Sequence, residues 1–401
     1  MSKQVDVEFT FHNVGQGLFY SGKINDFNFI YDCGSEKKAH LEKVVKEYLN
    51  NKLSNSDIDL LVISHLHADH IAGLKYIFDA GVHVRTVLLP YFSPIERLRL
   101  SIEKTNHSDW LYEFWSDPID YLSKKETTVV LMGHGEGAEN QAPNRDRLFD
   151  DRFNIDELPD DDSLKKEIIK KDESHSTSWK KVHYKNHKGQ ITLSRFWLFK
   201  FFNHKIEDIE KRDSFERYVR RKIGDLDLVT LIADKEKIRG LKNRYEALGG
   251  DFNDTSLVMY HAPVTKSIVK GFSHYSDPHY ISGKIEYPNK ITLNLPQKTV
   301  GHLLTGDINL NCWNELQQHI NENLSNLEAA LVPHHGAGGN WNRNAFDGIS
   351  NSCSWIISSG IVNKYGHPSL DVCQQIANNG NYPVSANEGT EVSIKDSLLL
   401  K

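Results

Sequence analysis

Asp59-Leu60-Leu61-Val62-Ile63-Ser64-His65-Leu66-His67-Ala68-Asp69-His70 is the stretch from which the rest of the chain is best read. Leu60–Ile63 is a short apolar run, the pattern of a buried strand, and Ile71 to Phe78 then shows apolar residues at helical spacing. The intervening cluster therefore belongs to a strand-to-helix turn at the end of a sheet. In extended backbone the i, i+2 spacing aims His65 and His67 the same way. The turn then offers Asp69 and His70 to a second position close by. With 20 His in 401 residues, a chance His-x-His-x-Asp-His has odds on the order of 10⁻³ to 10⁻². An isolated histidine is usually a satisfied core or surface group, but three imidazoles and a carboxylate in six residues read as a metal site. Imidazole and carboxylate donors suit zinc, or the harder manganese, better than copper or calcium.

Composition agrees with a soluble, globular protein, at 39% hydrophobic and 25% charged residues. Its length allows one large core or two ordinary ones. Cys33, Cys312, Cys353 and Cys373 are scattered without a Cys-x-x-Cys pair, which argues against a zinc ribbon or a disulfide framework. The start of the chain alternates like a strand instead of presenting a basic segment and an apolar run, and no stretch is long enough to span a membrane. A reduced, cytoplasmic setting without a membrane partner is the expectation. A net charge of −6 gives no global attraction to nucleic acid, which leaves only local basic patches for that purpose.

Outward from the cluster, Val5–Phe11 alternates as a half-buried strand. It runs into the glycine turn Val14-Gly15-Gln16-Gly17, and Phe27–Tyr31 leads to Asp32-Cys33-Gly34. Lys38–Asn50 reads as a helix and Val82–Pro90 as a strand. Strand pairs followed by alternating helices and strands predict an α/β layered sandwich. The middle, residues 91–250, differs. Ile95–Leu122 reads as helical and Thr127–Met132 as a strand. Asp150–Ser178 is too polar to bury much surface and reads as a mobile loop or a polar excursion. Ile191–Phe202 is strongly apolar and aromatic, a strand or cap surface with core packing the simpler choice. Polar helices are expected near 207–222 and 234–248.

Regular order returns at Asn253-Asp254-Thr255-Ser256-Leu257. Three strands then end in polar groups: Leu304-Thr305-Gly306-Asp307, Val332-Pro333-His334-His335-Gly336, and, after a further predicted helix, Ser354–Gly360 followed by Asn363-Lys364-Tyr365-Gly366-His367-Pro368. In layered α/β folds a shared strand end is where sites assemble.

Taken in order, these motifs resemble those of metallo-β-lactamase-fold hydrolases, most nearly the branch containing the hydrolase domain of the competence protein ComEC and the phosphorylcholine esterases. The resemblance covers residues ~5–90 and ~250–395. It implies a four-layer αβ/βα sandwich spanning 1–401 as a single domain, with 91–250 a helical and polar insertion that caps the site or binds a protein partner or a second copy. It also implies two divalent metal ions, Zn²⁺ or Mn²⁺. His65 and His67 would hold one and Asp69 and His70 the other, with Asp307 between them and His334 completing the second site. His335, its neighbour, remains an alternative ligand, and the remaining first-site ligand is left open among His261, His134 and a water. Asp69, Asp307 and His367 are the expected catalytic groups. Asp32, Asn253, Ser256, Lys364 and Tyr365 are expected to support the site or touch substrate. Leu18, Ala72 and Ala337 depart from the family pattern without removing a metal ligand.

The implied reaction is phosphodiester hydrolysis by a metal-activated water. Nucleic acid is the first expected substrate, because Lys180–Lys185 and Arg217–Lys222 interleave basic and aromatic residues. A small phosphodiester, such as a cyclic nucleotide or a phospho-head-group, is the alternative, and it predicts a closed pocket instead of a basic groove. A catalytically quiet metal-binding regulator is the third reading.

Overall fold

The computed structural model describes residues 3–103, 108–133, 160–172, 177–186, 188–193, 196–207, 209–224, 227–247, 253–264, 272–276, 292–294, 300–349 and 353–400. The architecture is α/β, as the alternation of patterns predicts, and is built on two mixed sheets. The first has ten strands. Edge to edge they are Thr292–Asn294, Phe272–Ser276, Val392–Leu400, Lys3–Phe11, Phe19–Ile24, Phe27–Cys33, Ile58–Val62, Val84–Pro90, Thr128–Met132 and Val182–Lys185. Pairing is antiparallel up to Phe27–Cys33 and parallel from there on. The second sheet has seven, in the order Tyr382–Ala386, Ser354–Ser358, Leu327–Leu331, Gly301–Leu304, Asn253–Pro263, Trp197–Glu207 and Lys188–Leu193. Its first four strands are parallel and the rest antiparallel.

The alternation of side chains along each strand sorts them between layers. Phe29, Tyr31, Leu60, Val62 and Leu88 point to the space between the sheets, where they meet Phe199, Phe201, Leu257, Met259 and Leu304. Ile30, Ile58, Leu61, Val87 and Leu89 point the other way, onto helices including Lys38–Tyr48 and Pro94–Glu103. Val258, Tyr260 and Leu303 likewise face the helix Trp313–Ile320 on the far side of the second sheet. Each such fully buried side chain contributes on the order of 1.5–3 kcal/mol. Residues 91–250 supply strands to both sheets. The aromatic run at 191–202 thus packs as core, because its inward positions meet those of the first sheet.

Three local expectations change. The helix after the histidine cluster is split into Ala68–Ile71 and Leu74–Asp79. Gly73 lies at the break, its N–H donating to Cys33 O at 2.8 Å. Within the polar stretch 150–178, Asp162–Lys171 is a helix, not a loop. Asp161 caps it by accepting from the N–H groups of Ser163 and Leu164, and Ile168 is buried beneath it. One apolar anchor and a good cap outweigh an unfavourable composition. Before Ser354 there are only short 3₁₀ turns, Gly338–Asn340 and Arg343–Phe346, among the described residues. The four cysteines are free. No described helix is long and apolar enough to cross a membrane.

Between the sheets lies a polar island. The Tyr20 hydroxyl bonds His261 Nε2 at 2.8 Å and His302 Nδ1 at 2.9 Å, and His261 is ringed by Phe9, Phe29, Trp197 and Phe199. Burial, with His302 alongside, holds the His261 pKa well below its ordinary 6.5. As pH falls through that value the unfolded chain takes up a proton that the native state refuses. The contribution of His261 to stability is therefore complete above pH 6.5 and lost on the acid side, at up to about 1.4 kcal/mol per pH unit. His261→Phe should flatten the acid limb of a urea-unfolding pH profile relative to the wild type, while Tyr20 keeps His302 as its partner.

Candidate metal centre

The parallel strands of both sheets end at the same place. Phe27–Cys33 releases Asp32, Ile58–Val62 releases the histidine cluster, Gly301–Leu304 releases Asp307 and Leu327–Leu331 releases His334 and His335. Backbone bonds tie these ends together: Leu257 N–H donates to Ser64 O at 2.9 Å and His334 N–H to Gly306 O at 3.2 Å.

Two groups of ligand-type atoms result, His65 with His67 and Asp307, and Asp69 with His70 and His335. Within each group the ligand atoms lie within 4.8 Å of one another. Asp307 stands between the two, one carboxylate oxygen 3.2 Å from His70 Nε2 and the other 3.6 Å from His65 Nε2. Asp69 Oδ2 is 3.4 Å from His335 Nε2. The resemblance placed His334 in the second site. The geometry instead groups His335 with Asp69 and His70, and His334 stands 3.9 Å from Asp307 with its side chain 42% exposed. Adjacent residues diverge in this way because both adopt left-handed backbone, at φ 49° and 57°, a conformation that costs on the order of 1–3 kcal/mol per residue and is typical of functional turns.

The histidines are oriented from behind. His70 Nδ1 donates to Asp32 Oδ2 at 2.8 Å and His335 Nδ1 to Ser358 O at 2.8 Å. Since a carboxylate and a carbonyl can only accept, Nδ1 carries the proton and Nε2 faces the site, the usual arrangement for metal-binding imidazoles. His65 Nδ1 bonds Ser64 Oγ at 2.9 Å. Asp32 also accepts from the Ser64 N–H at 2.7 Å. Ser256 Oγ accepts from the Asp307 N–H at 3.1 Å. The buried Nε2 atoms of His65, His67, His70 and His335 have no hydrogen-bond partner. Four imidazole nitrogens that face Asp69, Asp307 and Glu103 without an aligned hydrogen bond fit a pair of divalent cations.

Electrostatics point the same way. Burial opposes charge on His70, but Asp307 and Asp32 outweigh it and raise its pKa. Burial would raise the Asp69 carboxyl, yet His335 and His70 hold it well below the usual carboxylate range. Burial is likewise overcome at Asp307 by His70, His334, His335 and His65. Asp69 and Asp307 are thus held ionised by the imidazoles around them. At Asp32 burial prevails over His70 and Ser64 and raises the pKa.

His67, Asp69, Asp307 and His335 of these groups line a cavity of about 150 Å³, and His334 lines it too. One wall comes from residues 91–250, with Leu100, Glu103 and Trp115, and the other from Tyr365 and His367. Trp115 Nε1–H donates to Leu66 O at 2.8 Å, tying the wall to the cluster. The bond from Arg97 to Ser116 O, at 2.6 Å, joins the two wall helices, and Asp172, at the end of Asp162–Lys171, pairs with the same buried guanidinium at 2.7 Å. Glu103 was not anticipated. Its Oε2 lies 3.2 Å from His67 Nε2, its Oε1 accepts from Tyr245 at 2.8 Å, and despite burial His67 brings its pKa down to about 2. No local pattern marks a lone acid at a helix end 36 residues beyond its partner (103 − 67). The ammonium of Lys364 stands over the Tyr365 ring. His261 belongs to the polar island and to neither group. His134 and the Asn253 side chain lie outside the described residues.

Glycine makes the approach of the loops possible. A Cβ on Gly34 would stand 2.4–2.5 Å from backbone atoms of Asp69 and His70, and one on Gly17, at φ +146°, 2.7 Å from Asp69 O. Leu18 N–H donates to that same oxygen at 3.1 Å. Gly34→Ala should destabilise the fold by about 1–3 kcal/mol in urea unfolding, since main chain must move to admit the methyl group.

Among known proteins, the profile of one family, Anti-Pycsar protein Apyc1, matches residues 16–87, from the glycine turn through the histidine cluster to Val87. No curated protein matches the chain. This corrects the family expectation: the matching profile is not of the ComEC and phosphorylcholine-esterase branch, and no metallo-β-lactamase family matches. The motifs behind that expectation are those any site of histidines and carboxylates at strand ends requires, so they do not discriminate between families. The stretch 16–87 of this chain is similar to Anti-Pycsar protein Apyc1.

Proposed function

We propose that the protein is a metal-dependent phosphodiesterase that hydrolyses a cyclic nucleotide. The observation that carries this reading is a small walled cavity lined by members of two adjoining sets of metal-type ligands. The local similarity to a family that counters cyclic nucleotide signalling supports the choice of substrate. A nuclease is less well supported. Neither lysine nor arginine lines the cavity. Of the basic stretches, Lys185 is buried against Asp160 at 2.7 Å and Arg220 pairs with Glu216 on its own helix.

Under this reading His65, His67 and Asp307 would hold one cation, and Asp69, His70 and His335 the other. Such a pair supplies Lewis acidity and a nucleophile at neutral pH. Asp69 and Asp307, held ionised, orient the attacking group by accepting its hydrogen bond. His367 lines the rim of the cavity, its ring 6.0 Å from that of His334. Asp32 and Ser358 fix the tautomers behind the site, and Leu100 and Trp115 keep bulk water from one side. Within residues 91–250, the helices Pro94–Glu103 and Asp109–Ser116 serve as the cap in this scheme.

Purified protein supplied with Mn²⁺ or Zn²⁺ should hydrolyse cyclic nucleotides and lose the activity to a chelator. Cleavage of DNA or RNA with cyclic nucleotides untouched would overturn the proposal. His335→Ala should lower both bound metal and kcat/KM by at least about a hundredfold, and His334→Ala by markedly less, as read by metal analysis and steady-state kinetics.

A further inference from the structure

The rim loop Gly360–Ser369 is built to present two flat rings beside the metal groups. The Tyr365 and His367 rings are nearly parallel, 14° apart with centroids separated by 5.7 Å. The His367 ring lies 6.0 Å from that of His334, which itself approaches Asp307. These rings therefore step outward from the floor of the cavity, and Tyr365 and His367 both line it. The step is held in place. Asn363 Nδ2 donates to Gly360 O at 2.9 Å and His367 O at 2.7 Å, while its Oδ1 accepts from the Tyr365 and His367 N–H groups, both at 3.1 Å. Gly366, at φ +71°, lets the chain turn between the two rings. The Tyr365 hydroxyl donates to Glu36 Oε1 at 2.6 Å, which pins the ring from its far end.

A tyrosine that is 41% exposed would gain nothing from such fixing if it served packing alone. We infer that the Tyr365–His367 step is the nucleobase platform of the site, stacking the base of a cyclic nucleotide whose phosphate is bound over the metal groups. This rests on the proposed phosphodiesterase reading. Aromatic faces accept any base, since every base has a π-face, and a ring already ordered loses little entropy on binding. The ammonium of Lys364, 4.9 Å from the Tyr365 centroid, occupies the ring until a base replaces it and stays close enough to meet the nucleotide's negative charge.

The test uses the full chain loaded with Mn²⁺. KM is measured for a cyclic nucleotide and for the base-free methyl riboside cyclic phosphate, in the wild type, Tyr365→Ala and Tyr365→Phe. Tyr365→Ala should raise KM for the nucleotide relative to the base-free ester by about tenfold or more. Tyr365→Phe, which keeps the ring and loses only the Glu36 bond, should restore that ratio to within about twofold. An unchanged ratio in Tyr365→Ala, or equal damage from the Phe and Ala variants, overturns the platform and leaves the phosphodiesterase reading intact. Failure of the wild type to hydrolyse either ester overturns both.

Discussion

The buried carboxylate of Asp32 is the constraint on which the site depends. From the end of Phe27–Cys33 it reaches across to the next strand, accepting from the Ser64 N–H and hydroxyl and from His70 Nδ1. It is fully buried, so each of these bonds forms where water cannot compete and none can be lost cheaply. It thereby sets the register between two strand ends, the direction of the cluster and the tautomer of one imidazole. Its own backbone is left-handed, at φ 55°, a strain sustained only because the surrounding bonds over-determine it.

Around that anchor the loops are brought close by the absence of side chains. Gly17 and Gly34 let two turns of the first sheet rest against the Asp69–His70 backbone. The second sheet answers with Ser256 beneath Asp307 and with the His334–His335 turn hung from Gly306. Each sheet thus brings part of the ligand set, and neither group of ligands is complete on one sheet. The remaining wall comes from helices that Arg97 joins through its bond to Ser116 O, its guanidinium anchored in turn by the buried Asp172. Removing one partner of such a buried pair costs about 3–5 kcal/mol, so the cavity's shape is as firmly held as its floor.

Much of this was legible along the chain. Apolar runs of period two gave the strands, and polar groups following them gave the cluster, Asp32, Asp307, His335 and the rim loop as site candidates. What escaped were relations between distant segments. Glu103 beside His67 is invisible because nothing near either residue reports the other. The choice between His334 and His335 turned on two consecutive left-handed residues, and a His-His-Gly sequence does not say which ring turns inward. The helix Asp162–Lys171 was missed because composition averages over a window, whereas a cap and one buried isoleucine act at single positions. The family expectation failed for a related reason: motifs dictated by metal chemistry recur wherever that chemistry is needed.

The amino-acid sequence by itself determined the α/β class and the kind of chemistry available, because periodicity and ligand type are local properties that survive without a partner. The tertiary structure alone decided which ligands share a group, how small the cavity is and which side chains wall it. Those depend on two sheets closing face to face, bringing residues hundreds of positions apart to within hydrogen-bonding distance. No local signal encodes that closure, since its driving force is burial shared over the whole interface between the sheets.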